Sequence, residues 1–131
     1  MKKLLLTLVI MLLGAGYAMA QSGPDIKFDK LTHDFGTFSA KSPKVVTVFT
    51  FTNTGDAPLV IHQAIASCGC TVPEFTEEPV LPGKTGIVKV TYDGTGKYPG
   101  EFKKSITLRT NCVKDPKKEM IRLVIKGVME E

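Results

Sequence analysis

The stretch Val45-Val46-Thr47-Val48-Phe49-Thr50-Phe51-Thr52-Asn53-Thr54-Gly55-Asp56-Ala57-Pro58-Leu59-Val60-Ile61 decides the fold. Its first half alternates: Thr47, Phe49 and Phe51 take one side, and Val48, Thr50 and Thr52 the other. A period of two is that of a strand with one buried face. The two rings belong inside, where each contributes about 1.5–3 kcal/mol on burial. Asn53 to Pro58 then concentrates turn formers: Asn and Asp satisfy backbone groups locally, and Gly55 can take φ > 0. Leu59 to Ala66 is the expected returning strand, with Leu59, Ile61 and Ile65 on one face.

The same reading extends outward in both directions. Ile26 to Phe28 and His33 to Phe38 are short strand candidates before this hairpin. After it, Thr71 to Phe75 contains Pro73, which suits an edge or irregular strand. Gly86 to Asp93 alternates through Val88, Val90 and Tyr92. Phe102 to Thr110 points Phe102, Ile106 and Leu108 inward, and Asn111 to Lys118 is a polar loop. Met120 to Val128 closes the chain with Ile121, Leu123 and Ile125 inward and Arg122 and Lys126 outward. No helix of useful length is expected. About seven short strands separated by regular turn signals predict an all-β, immunoglobulin-like antiparallel β-sandwich. There is no Trp, so the likeness to antibody domains is one of architecture.

The N-terminus predicts the compartment. Met1-Lys2-Lys3 is positive, Leu4 to Leu13 is apolar apart from Thr7, and Ala18-Met19-Ala20 presents small residues before a cut. This is the layout of a secretory signal peptide, residues 1–20, cleaved between Ala20 and Gln21. The apolar run falls short of the roughly 20 residues that span a bilayer. The expectation is therefore an exported protein, periplasmic or extracellular, with residues 21–131 as one domain and no membrane span after cleavage. The full chain carries +4, but Lys2 and Lys3 depart with the signal, leaving about +2. Lys103-Lys104 and Lys117-Lys118 are isolated pairs without interleaved aromatics, which argues against nucleic acid as a partner.

Of the three cysteines, Cys68 and Cys70 form the one short motif with chemical promise, Cys68-Gly69-Cys70. Gly69 lets the chain turn so that both sulfurs face one way. Three readings stand open. Two of the three cysteines form a structural disulfide. Alternatively, Cys68 and Cys70 close a small ring that is readily reduced and redox active. Or both thiolates hold a soft ion, Cu(I) or Zn. In a standard sandwich the strand ending near Ala66 lies antiparallel to the one starting near Phe102, which carries Cys112 to the far end. Cys112 is therefore not expected to bridge to Cys68 or Cys70. No catalytic motif is present: there is no Gly-x-Ser-x-Gly, no His-Glu-x-x-His and no phosphate loop. No cofactor and no enzymatic activity are expected.

Phe51-x-Asn53-Thr54-Gly55-x-x-Pro58-Leu59-x-Ile61 resembles bacterial relatives of the Hydin and major-sperm-protein type of immunoglobulin-like domain. Ser67-Cys68-Gly69-Cys70-Thr71-Val72-Pro73 and Leu81-Pro82-Gly83 narrow the resemblance, as do the following Val-x-Val-x-Tyr strand and Ile106-Thr107-Leu108. Together they are similar to a family of secreted bacterial domains of unassigned function, over roughly His33 to Gly127. The resemblance implies the fold and leaves the biochemistry open. The functional expectation is an exported, non-enzymatic binding or scaffold module of the bacterial cell envelope, meeting envelope proteins by edge-strand addition. The alternative is a small periplasmic thiol protein that binds Cu(I) or Zn, or exchanges disulfides, through Cys68 and Cys70.

Overall fold

The computed structural model describes residues 23–131; the signal-peptide expectation lies outside them. The strands are β1 (Ile26–Phe28), β2 (Thr32–Ser39), β3 (Lys44–Asn53), β4 (Ile61–Ala66), β5 (Thr71–Phe75), β6 (Thr85–Asp93), β7 (Gly100–Thr110) and β8 (Met120–Glu130). A single helical turn, α1 (Pro116–Glu119), precedes β8. One sheet has the order β1-β3-β6-β5, the other β2-β8-β7-β4. This is the expected sandwich, with eight strands where about seven were anticipated.

The core is built by the alternation read in the sequence. Thr47, Phe49 and Phe51 of β3 are buried, as are Val88, Val90 and Tyr92 of β6. From the other sheet, Ile106 and Leu108 of β7 and Ile121, Leu123 and Ile125 of β8, side by side, complete the same core. Phe102, also expected inside, is only partly buried. It stacks on Tyr92 with ring centroids 3.9 Å apart, and Phe38 meets Phe102 edge-on at 5.8 Å. These rings plug one end of the sandwich.

Four expectations need correction. Ile65 is 47% exposed, away from Leu59 and Ile61. The pairing of β4 with β7 slips by one residue between Ile61 and Gln63, and a one-residue slip sends every later side chain to the opposite face. Ala64 takes the inward position instead. Second, the sheets are not wholly antiparallel, because β2 runs parallel to β8. Third, the Asn111–Lys118 loop contains α1, whose N-cap Asp115 accepts from the Lys117 N–H. Fourth, Gly55 does not have positive φ. Its requirement is space: a Cβ there would fall 2.2 Å from the Gly23 carbonyl oxygen and 2.5 Å from the Asp25 nitrogen.

That close approach belongs to a polar hub at the opposite end from the aromatic plug. Asn53 is 0% exposed. Its Nδ2 donates to the Ala57 and Val80 carbonyls, each at 2.8 Å. Its Oδ1 accepts from the Gly55 N–H at 2.9 Å and the Asp25 N–H at 3.5 Å. One side chain thus satisfies the turn after β3, the segment entering β1 and the connection entering β6. Buried polar groups survive only when paired in this way.

Candidate functional site: the Cys68–Cys70 corner and its edge strand

The chain leaves one sheet and enters the other at Ser67-Cys68-Gly69-Cys70. On one side lies β4, the edge of its sheet; on the other lies β5, the edge of the second. Cys68 and Cys70 are joined to each other by a disulfide with Cα atoms 5.3 Å apart, within the usual range. Backbone bonds hold the corner at both margins. The Ser67 N–H donates to the Ser105 carbonyl at 2.9 Å, and the Asp93 N–H to the Cys70 carbonyl at 2.8 Å. Ser67 Oγ accepts from the Ser105 N–H at 3.0 Å, and Cys68 Sγ accepts from the Cys70 N–H at 3.1 Å. Gly69 has ordinary φ, and a Cβ placed on it meets nothing within 4 Å. The turn the motif makes is set by the disulfide and these bonds, and the glycine's freedom is not what permits it.

The structure therefore brings Cys68 and Cys70 together as a covalent pair. In this state neither sulfur is a thiolate able to ligate a metal. Among the described residues no group of three or more His, Cys, Asp or Glu side chains is arranged to hold an ion. Cys112 is a free, buried thiol. It sits near Asp25 and Lys118 at the hub end, in keeping with the expectation that it stays clear of Cys68 and Cys70. Burial pushes its pKa above the usual thiol value, which suppresses thiolate chemistry there.

The four sheet edges differ in what they offer a further strand. β1 is three residues long, and the Ile26 N–H that points outward is already taken by Asp25 Oδ1 at 2.9 Å. β2 is interrupted by a register shift between Asp34 and Thr37, and Asp34 Oδ1 accepts the Gly36 N–H at 2.8 Å. In β5, the bonds from Asp93 to Cys70 and from Thr76 to Ile87 fix which residues face β6. Thr71, Pro73 and Phe75 then turn their backbones outward. Pro73 has no N–H to give, and the Thr71 N–H is bonded to the Cys68 carbonyl at 3.1 Å. Short length, bulges and proline are the devices by which proteins close edges.

β4 carries none of these closures beyond its bulge. With Ser67 bonded to Ser105, alternation directs Ile65 and Gln63 toward β7, and the backbones of Ala64 and Ala66 away from it. Both alanines are half-buried, and His62, Gln63 and Ile65 are exposed. The edge is bounded at one end by the disulfide corner. At the other, Val60 donates its N–H to Asn111 Oδ1 at 2.9 Å, and Leu59 exchanges bonds of 2.9 and 2.8 Å with Val80. Reading the sequence singled out the two cysteines but missed Ala64, Ala66 and the open edge. The one available signal was a pair of small residues, Ala64 and Ala66, flanking Ile65 in a short strand.

These features define an immunoglobulin-like β-sandwich, and solved structures of other proteins share that fold. A protein of unknown function from Porphyromonas gingivalis W83 aligns with TM-score 0.68 and 14% identity over 84% of this chain and 49% of its own. The ASH / PapD-like domain 7 of human CEP192 aligns with TM-score 0.63 and 12% identity, covering 81% of this chain and 85% of that one. The YadV chaperone aligns with TM-score 0.51 and 15% identity over 81% of this chain and 51% of its own. This chain thus spans about half the length of the Porphyromonas protein. No curated protein matches. The chain belongs to the family described as protein of unknown function (DUF1573), whose model matches residues 26–129.

Proposed function

We propose that this chain is an exported, non-enzymatic binding module of the bacterial cell envelope, and that its partner adds a strand at the edge of β4. The observation that carries this reading is the contrast among the four edges: β1 is short, β2 is broken mid-strand by its bulge and β5 carries Pro73, while the bulge of β4 lies at its start and leaves Ala64 and Ala66 presenting their backbones outward. A row of unpaired N–H and C=O groups is a template for another chain. The disulfide beside it holds the end of that template in place. One of the structural neighbours is a chaperone, which fits a binding role on this fold. Export rests on the layout of residues 1–20.

The test uses a photo-crosslinking residue at Ile65, with the same residue at Thr37 on β2 as control, in cells making the full chain. The expected result is a discrete crosslinked product from position 65 alone, lost when Ala64→Pro removes an edge donor, on protein whose N-terminus is Gln21. Equal products from both positions, or an uncleaved N-terminus, would overturn the reading.

A further inference from the structure

We infer that the strand received by β4 belongs to an acidic, extended segment of a partner protein, with apolar side chains at alternate positions. The inference rests on the β4 reading above. It comes from the two faces that an added strand would extend.

The outer face of the β2-β8-β7-β4 sheet is cationic beside β4. Gln63 lies across from Arg109, and Ile65 across from Thr107, which is itself across from Arg122 on β8. Further along, Lys103 stands directly opposite Lys126. All four basic side chains are exposed. The salt bridge between Lys118 and Asp25 lies at the other end of the molecule. Like charges placed directly opposite on a sheet cost stability, so this face favours an anionic neighbour. Asp34 and Glu101 on this face lie toward the far end with Lys103 and Lys126, as does Glu130 at the end of β8. An outward side chain on an added strand beside Gln63 would sit two strand spacings, about 10 Å, from the Arg109 backbone. A glutamate and an arginine reach each other across that span. The same face argues against a second copy of this chain as occupant, since β4-to-β4 pairing would bring two cationic faces side by side.

The inner face sets the alternate positions. β4 offers only the methyl groups of Ala64 and Ala66 there, and Cys70 and Phe75 at the β5 side are partly buried apolar neighbours. Inward side chains of the incoming strand therefore border apolar surface, and a polar one would lose hydration without a partner. The backbone match is short: Ala64 and Ala66 supply two N–H and two C=O groups. Affinity then depends on the side chains, and the charge on the outer face gives it a steep salt dependence.

The test is amide-resolved NMR and hydrogen exchange on the protein with two synthetic peptides. One alternates Val with Glu; the other is identical with Lys in place of Glu. At low ionic strength the acidic peptide is expected to protect the Ala64 and Ala66 amides and to bind at least tenfold more tightly than the basic one. The gap should close in about 0.5 M salt and in the double variant Arg109→Ala, Arg122→Ala. A version of the acidic peptide N-methylated at its edge-facing residues should not bind, a control that leaves the protein unaltered. Equal binding of both peptides with β4 protection would overturn the acidic partner and leave the receptive edge standing. Protection elsewhere or no binding at millimolar peptide would overturn both, and β4-mediated dimers in sedimentation would overturn the acidic partner.

Discussion

The two ends of the sandwich hold the chain in opposite ways. At the hub, Asn53 is fully buried and bonds groups from three separate segments. At the corner, a covalent bond joins two half-exposed residues only two positions apart. The hub gathers distant pieces without any covalent tie, and every group it leaves unpaired would be trapped away from water. The corner ties together residues that the chain already keeps close. What matters to stability is how far apart in sequence the joined groups are and how dry their surroundings are, and on both counts the weaker individual bonds dominate.

This contrast can be broken from either side. Replacing Asn53→Ala strips the Ala57 carbonyl and the Gly55 and Asp25 N–H groups of the side chain that pairs them, while the Val80 carbonyl keeps the Leu59 N–H. At about 1–3 kcal/mol for a buried unsatisfied group, with partial relaxation, the expected loss is about 3–5 kcal/mol, read by urea unfolding. Gly55→Ala puts a methyl group into backbone atoms 2.2 and 2.5 Å away. Neither is a flexible side chain, so about 2–3 kcal/mol is expected by the same measurement, as for other overpacking changes. Cys68→Ser with Cys70→Ser opens a ring so small that the chain-entropy model assigns it about 1.5 kcal/mol. A loss larger than that of Asn53→Ala would reverse the ranking of the two ends.

Smaller effects sharpen the picture. Lys118 Nζ lies 2.5 Å from Asp25 Oδ1, with both side chains 39% exposed. This hydrogen bond lowers the Asp25 pKa and raises that of Lys118. A lowered carboxyl pKa contributes stability that is present above the ordinary Asp value and is lost as pH falls through the folded one. The lysine's share is present below its ordinary value and is lost as pH rises through its raised pKa. Lys118→Met should therefore flatten both limbs of the stability–pH curve. At neutral pH it should cost about 0.5 kcal/mol, the scale of a solvated pair. Gly69→Ala should lie within about 0.5 kcal/mol of the parent, because its Cβ meets open space. A large loss there would restore the glycine to the centre of the motif.

Alternation made most of the strands legible, because Thr47, Phe49 and Phe51 declare their buried side without help from the rest of the chain. Asn53 was readable as a turn former, and its Oδ1 does accept the Gly55 N–H; what went unread is its burial. It continues the same period of two, so the sequence placed it inside, but the carbonyls that make burial tolerable come from Ala57 and Val80. The bulge after Ile61 left no mark, since a one-residue slip keeps the apolar composition and changes only its facing. The parallel pairing of β2 with β8 joins residues as far apart as Thr32 and Val124, and nothing local encodes it. At the site, the pairing of Cys68 with Cys70 was one of three readings the spacing allowed. The open edge depends on which backbones β7 leaves unused, a property of the assembled sheet.

That pairing of β2 with β8 has a consequence for how the molecule comes into being. Among the described residues, β2 finds its ladder partner in β8. β7 likewise waits for β8 on one flank. A nascent polypeptide in which β8 has not yet been made has no way to complete the layer that holds β2 and β7, and non-local pairing of this kind makes folding slow. Closure of that layer therefore waits for β8, and until β8 docks the flanks of β2 and β7 that it covers stay unpaired.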